Sequence, residues 1–150
     1  MNKYMKMAIQ EATKGINNQH GGPFGSVIVK DGKVIAKGHN KVVKDHDPTM
    51  HGEIDAIRKA SKKLGTYDLS GCILYTTAAP CPMCLGAILW ANIETVYYGC
   101  NVVDSEVIGF RDKKFYELKD ESKEKFIKEL DRTECLKLFQ KYQEMEHSKY

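Results

Sequence analysis

No run of apolar residues approaches the ~18 that a membrane-spanning helix needs. The stretch Met1 to Ile16 carries charges where a signal peptide would need an apolar block, so the expected location is cytoplasmic. Arginine is scarce: three of the 23 basic residues, Arg58, Arg111 and Arg132. Nucleic-acid recognition favours arginine forks, so RNA or DNA is not the expected partner. No basic tail compensates, since residues 1–110 hold 12 Lys/Arg against 10 Asp/Glu and residues 111–150 hold 11 against 10. Five cysteines, an odd number, imply no disulfide framework and fit metal ligation or core filling. What is present is an ordinary globular composition, 42% hydrophobic and 29% charged over 150 residues, which excludes a chain too polar to collapse.

Without an internal repeat, a low-complexity tract or a linker, one α/β domain over residues 1–150 is the economical reading. Met5, Ala8, Ile9, Ala12 and Ile16 recur at helical spacing before a Gly/Asn-rich break. Phe24 to Val29 and Val34 to Ala36 flank Asp31-Gly32, a strong hairpin signal. After a polar segment, Lys41 to Thr49, a second helix is expected from near His51 to Gly65, carrying Ile54, Ile57, Ala60 and Leu64. Cys72 to Thr76 predicts a third strand, Pro82 to Trp90 a short helix, and Thr95 to Tyr98 a fourth strand. Residues 101–120 carry no clear period. The last segment, about 120–150, places Phe126, Leu130, Cys135, Leu138, Phe139, Tyr142 and Met145 on one side, as one amphipathic helix or a helix pair would.

Two short patterns carry chemistry: His51-Gly52-Glu53 and Pro80-Cys81-Pro82-Met83-Cys84. At this composition His-x-Glu arises by chance roughly 0.4 times, whereas Pro-Cys-x-x-Cys is expected about 0.004 times, so the cysteine motif is the informative one. Cys81 and Cys84 straddle a helix start and turn both sulfurs toward one point, and a helix N-terminus favours the thiolates a metal requires. One histidine and two cysteines make a three-ligand set that leaves a fourth tetrahedral position to water, the pattern of catalytic rather than structural zinc. Two thiolates and a neutral imidazole cancel the charge of Zn²⁺, so a neighbouring base is needed. Glu53, on the first turn of another helix, is placed to be that base.

His-x-Glu followed by Pro-Cys-x-x-Cys resembles the signature of the zinc-dependent cytidine/deoxycytidylate deaminase superfamily. The resemblance covers roughly Tyr4 to Phe110 and implies a cytidine-deaminase-like three-layer α/β/α sandwich with a mixed five-stranded sheet. Gly21-Gly22-Pro23-Phe24-Gly25, Asp47-Pro48-Thr49, Cys81-Pro-Met-Cys-Leu-Gly-Ala-Ile, Gly-Phe-x-Asp at 109–112 and the terminal Tyr150 are most similar to the bacterial guanine deaminases. Two residues depart from the usual pattern. Gly52 stands where the family has Ala, and Ala79 where it has Glu before Pro-Cys.

The resemblance implies hydrolytic deamination of a purine base, guanine and water giving xanthine and ammonia, with one Zn²⁺ per subunit. Its ligands are His51, Cys81 and Cys84, and Glu53 is the catalytic proton carrier. Asn40 corresponds to the family's ring-contacting amide, Phe24 to an apolar wall, and Asp112 to an acceptor for purine N–H groups. Tyr150 is expected to cap a partner's cavity in a homodimer with an exchanged C-terminal segment. Within the class, tRNA adenosine deamination and deamination of guanosine or cytidine are the competing readings. Outside it stands a non-catalytic, zinc-stabilised binding module. Cys72, Cys100 and Cys135 are expected to be small apolar fillers, and His20, His39, His46 and His147 show no pattern of partners.

Overall fold

The computed structural model describes all 150 residues. They divide into two compact units, residues 1–116 and 117–150. The first unit opens with α1 (Lys3–Asn17), whose free N–H groups at Tyr4 and Met5 are capped by Asn2 Oδ1 at 2.9 and 3.0 Å. Strands β1 (Gly25–Lys30) and β2 (Lys33–His39) follow, joined at Asp31-Gly32. Both turn residues have positive φ, 49° and 73°, which matches the twist of an antiparallel pair.

After β2 come a short α2 (Val42–Asp45) and then α3 (Gly52–Leu64), ending at Gly65. Strand β3 (Cys72–Ala78), helix α4 (Pro82–Trp90) and strand β4 (Thr95–Cys100) are the elements the apolar runs predict. The sheet order is β2-β1-β3-β4, with β1 antiparallel to both neighbours and β3 parallel to β4. Alternate residues of β1 face opposite sides. Ile28 joins Ala36, Ala56, Ala60, Leu74 and Ile88 in the core shared with α3 and α4, while Val27 and Val29 pack with Ala8 of α1. The result is three layers, α/β/α.

The sheet has four strands, not five. Beyond β4, Asn101 closes a reciprocal capping box with Asp104: Asp104 N donates to Asn101 Oδ1 at 3.0 Å, and Asn101 N to Asp104 Oδ2 at 2.8 Å. That box starts α5 (Val102–Val107), and α6 (Asp112–Tyr116) follows, so the segment without a clear period is helical. The sheet therefore ends at β4, with Tyr97 and Tyr98 exposed. A second correction concerns the cysteines: Cys72 is buried as expected, but Cys100 and Cys135 are exposed and fill no core.

The second unit holds α7 (Asp120–Phe126) and α8 (Arg132–Glu144), a helix pair. In α8, Cys135, Leu138, Phe139 and Tyr142 keep the i, i+3, i+4, i+7 spacing that the sequence predicts. No helix of the chain is long and apolar enough to cross a membrane.

Candidate metal centre and adjoining cavity

Two helix starts meet over the sheet. His51 is the N-cap of α3 and Cys81 the N-cap of α4, with Pro82 at the first helical position, where its missing N–H costs nothing. The turn that delivers His51 is built by Asp47, whose Oδ1 accepts from Thr49 N at 2.8 Å and Thr49 Oγ1 at 2.7 Å. Gly52, the departure from Ala, is explained by contact: a Cβ there would stand 3.0 Å from the Phe24 carbonyl, so glycine lets α3 approach the β1 entry closely.

The donor atoms of His51, Cys81 and Cys84 lie within 4.8 Å of one another. Zn–S bonds of about 2.3 Å and Zn–N bonds of about 2.0–2.1 Å at a tetrahedral angle put nitrogen and sulfur about 3.6 Å apart. His51 Nδ1 is 3.6 Å from Cys81 Sγ and 3.6 Å from Cys84 Sγ. The three residues therefore fit a tetrahedral ion as they stand. The electrostatics fit as well. The hydrogen bond from Cys84, aided by His51, brings the Cys81 thiol down to about 4, despite burial. The same bond and burial hold the Cys84 thiol up, and the bond to Cys81 raises His51 against its own desolvation. A divalent cation held by this set would favour the thiolate at both sulfurs.

Glu53 is buried beside this set, 5% exposed. Its Oε2 is 3.4 Å from Cys84 Sγ, and its Oε1 accepts from Thr76 Oγ1 at 3.3 Å, which in turn accepts from Ser26 Oγ at 3.0 Å. Burial pushes its pKa above the ordinary carboxylate value. The carboxylate is adjacent to the ligands without belonging to them.

A cavity of about 360 Å³ opens on His51, Glu53 and Cys81, a size suited to a small ligand. Asn40, Phe24 and Asp112 line it too, so the structure brings together every site residue expected from the sequence except Tyr150, which belongs to the second unit. Asn40 is buried, and its Oδ1 accepts the Val42 N–H at 3.1 Å, which leaves the Nδ2 donors for a ligand. Its amide rests on Gly21, where a Cβ would collide with Oδ1. Phe24 meets Phe110 edge to face, with ring centroids 4.7 Å apart, so the wall is an aromatic pair. Burial raises the Asp112 carboxyl above its ordinary value.

Sequence reasoning passed over Phe110 and Arg111, which also line the cavity; their place in Gly-Phe-x-Asp was the available signal. It also found no partners for His39, yet His39 is buried with Nδ1 3.1 Å from Glu11 Oε2 and Nε2 2.8 Å from His20 Nδ1. Residues that far apart in the chain leave no local pattern.

The family model described as the cytidine and deoxycytidylate deaminase zinc-binding region matches residues 1–100. Guanine deaminase of Bacillus subtilis (strain 168) is 52% identical over 113 residues, which span 75% of this chain and 72% of the relative. An X-ray structure of guanine deaminase from Bacillus subtilis gives a TM-score of 0.91 at 45% identity, covering 100% of this chain and 99% of that one. The tRNA-specific adenosine deaminase of the same bacterium is 42% identical over 96 residues, 64% of this chain and 59% of the relative. A structure solved in complex with 8-azaguanine gives a TM-score of 0.70 at 35% identity, over 73% of this chain and 63% of that one.

Proposed function

Because the chain belongs to the cytidine and deoxycytidylate deaminase zinc-binding family, we propose that it is a guanine deaminase, converting guanine and water to xanthine and ammonia. The observation that carries this reading is the convergence, on one cavity, of the His51–Cys81–Cys84 site, the buried carboxylate of Glu53 and the donor amide of Asn40. Zn²⁺, one per subunit, supplies Lewis-acid activation of water there.

The chain's own residues do the rest. Glu53 takes a proton from the water that adds to C2 and passes it to the neighbouring ring nitrogen. It then takes the remaining proton of the added hydroxyl and delivers it to the amine as the C–N bond breaks, so water enters and ammonia leaves. Burial suits it to this cycle, since a carboxylate with a raised pKa takes a proton from water more readily than an ordinary one. The Thr76 hydroxyl holds one oxygen, and the other lies on the side of the metal ligands, 3.4 Å from Cys84 Sγ. Phe24 and Phe110 wall the ring, and Asp112 accepts from purine N–H groups. With Asn40 Oδ1 engaged by backbone, Nδ2 meets two acceptors on the O6/N7 edge of guanine but an acceptor and a competing donor on adenine, which supports guanine.

The same reading includes a homodimer in a cytoplasmic compartment, in which the 117–150 segment is exchanged and Tyr150 caps the partner's cavity. The exposed apolar side chains Leu85 and Leu89 on α4, with Val103 and Val107 on α5, support a covered face. Reduced thiols suit that compartment, as no cysteine is paired. A panel measuring ammonia release from guanine, adenine, guanosine, cytidine and a tRNA anticodon stem-loop tests the substrate. Guanine should be turned over far faster than the rest. Turnover of cytidine or the stem-loop alone would overturn the assignment, and no turnover in a zinc-loaded sample would leave a binding module.

A further inference from the structure

Around Asn40 lies a polar network that the chemistry above does not use. Asp55 of α3 is buried, with 5% of its side chain exposed. It accepts the backbone N–H of His39 at 3.2 Å and holds Lys41 Nζ at 2.9 Å and Lys59 Nζ at 3.0 Å. A single carboxylate thus grips both residues that flank Asn40, and it stands on the helix whose first turn carries His51 and Glu53.

The far side is tied as well. The His39 ring bridges Glu11 of α1 at 3.1 Å and His20 at 2.8 Å, and the two imidazoles stack with centroids 5.1 Å apart. His20 precedes Gly21, on which the Asn40 amide rests, and its carbonyl accepts the N–H groups of Val43 and Lys44, both at 3.0 Å. Those residues belong to α2, whose Val42 N–H binds Asn40 Oδ1. His39, Lys41 and Val42 beside the amide, and His20 next to Gly21, are therefore tied to α1, α2 or α3. Packing alone does not call for this arrangement, because apolar side chains of similar volume would fill the space without the cost of desolvating charges. What the charges add is a fixed direction.

We propose that Asp55 is a positioning residue that acts through Lys41 and His39 to hold the Asn40 amide in register with the substrate's ring edge, and so sets affinity and base discrimination. This rests on the reading of Asn40 as a substrate contact. A double-mutant cycle on the zinc-loaded protein tests both, with Asn40→Ala, the isosteric Asp55→Asn and the pair, and kcat and KM measured for guanine and adenine. Asp55→Asn should raise KM for guanine about tenfold, keep kcat within about twofold, retain zinc and narrow the preference for guanine over adenine. In the Asn40→Ala background it should change KM by less than about twofold.

An equal tenfold rise in both backgrounds, an unchanged KM, or a loss confined to kcat overturns the proposal. If Asn40→Ala is itself silent, the substrate reading of Asn40 fails instead. Lys41→Met, which keeps the aliphatic stem and removes only the ion pair, gives a second route should Asp55→Asn fold poorly. Its KM should rise about threefold by the same coupling, and a KM within error of the parent overturns the proposal.

Discussion

Replacing Glu53 by Gln separates the proton carrier from the metal site more cleanly than any other change. The glutamine carbonyl still accepts from Thr76 Oγ1, now 3.3 Å from Oε1, and its NH₂ faces the Cys84 sulfur, now 3.4 Å from Oε2. Shape, volume and the Ser26–Thr76 hydroxyl pair stay as they are. Only proton capacity is lost. General acid–base catalysis contributes about 10²–10⁴, and both protons of the water pass through this group. A fall in kcat of at least about 10³, or about 4 kcal/mol of transition-state stabilisation, is expected.

Stability should move the other way. Burial raises the folded pKa of Glu53 above its unfolded value, so ionising it at neutral pH opposes folding, and a neutral amide removes that opposition. Purified Glu53→Gln should hold zinc by elemental analysis at the parent's stoichiometry and melt at pH 8 no lower than the parent, while ammonia release from guanine disappears. Retention of more than about a tenth of kcat would refute the proton-carrier role. Loss of zinc would show that the carboxylate is itself a ligand.

Three further outcomes follow from other parts of the structure. Chelation of zinc, or Cys84→Ser, should lower the melting temperature by about 10 °C, since an ion at ~1,000 times its dissociation constant stabilises by about 4 kcal/mol. A melting curve blind to chelator would deny the site its metal. Burial pushes the Asp55 carboxyl up, but the hydrogen bonds and charges of Lys41 and Lys59 outweigh it and leave its pKa below the ordinary 3.8. A depressed folded pKa means that its stabilisation is complete above the unfolded value and disappears as pH falls through the folded one. Unfolding free energies from urea titrations should therefore differ between parent and Asp55→Asn by about 2 kcal/mol at pH 7 and converge well below pH 4, and a constant difference would contradict this. Finally, Gly21→Ala drives a methyl against Asn40 Oδ1, so KM for guanine should rise about tenfold with zinc content unchanged, measured by steady-state kinetics and elemental analysis.

The legible part of this protein was the part written in short spacings. Cys81 and Cys84 stand three apart across a helix start and His51 and Glu53 two apart on another, so local geometry alone aims their side chains. The four strands and their connecting helices followed from runs of β-branched residues and from the turn at Asp31-Gly32. What stayed hidden depended on tertiary contact. The Glu11–His39–His20 chain draws on residues up to 28 apart, and Asp55 reads as an unremarkable helix carboxylate until β2 is laid against α3. The fifth strand failed for the opposite reason. It was carried over from a resemblance, whereas the Asn101–Asp104 capping box, present in the sequence, commits that segment to helix.

Ala79 shows how the two kinds of information combine. In sequence it is a missing carboxylate beside Pro80-Cys81. In the structure its N–H is spent on the Cys100 carbonyl at 2.8 Å, joining the ends of β3 and β4, and its methyl lines the cavity. Among the lining residues only Glu53 and Asp112 are carboxylates. With Ala at 79, Asp112 at the start of α6 is the second carboxylate of the cavity beside Glu53, and burial raises it above the ordinary carboxyl value. Ala79 therefore removes one carboxylate while Asp112 stays in the cavity, and it leaves apolar surface next to Cys81.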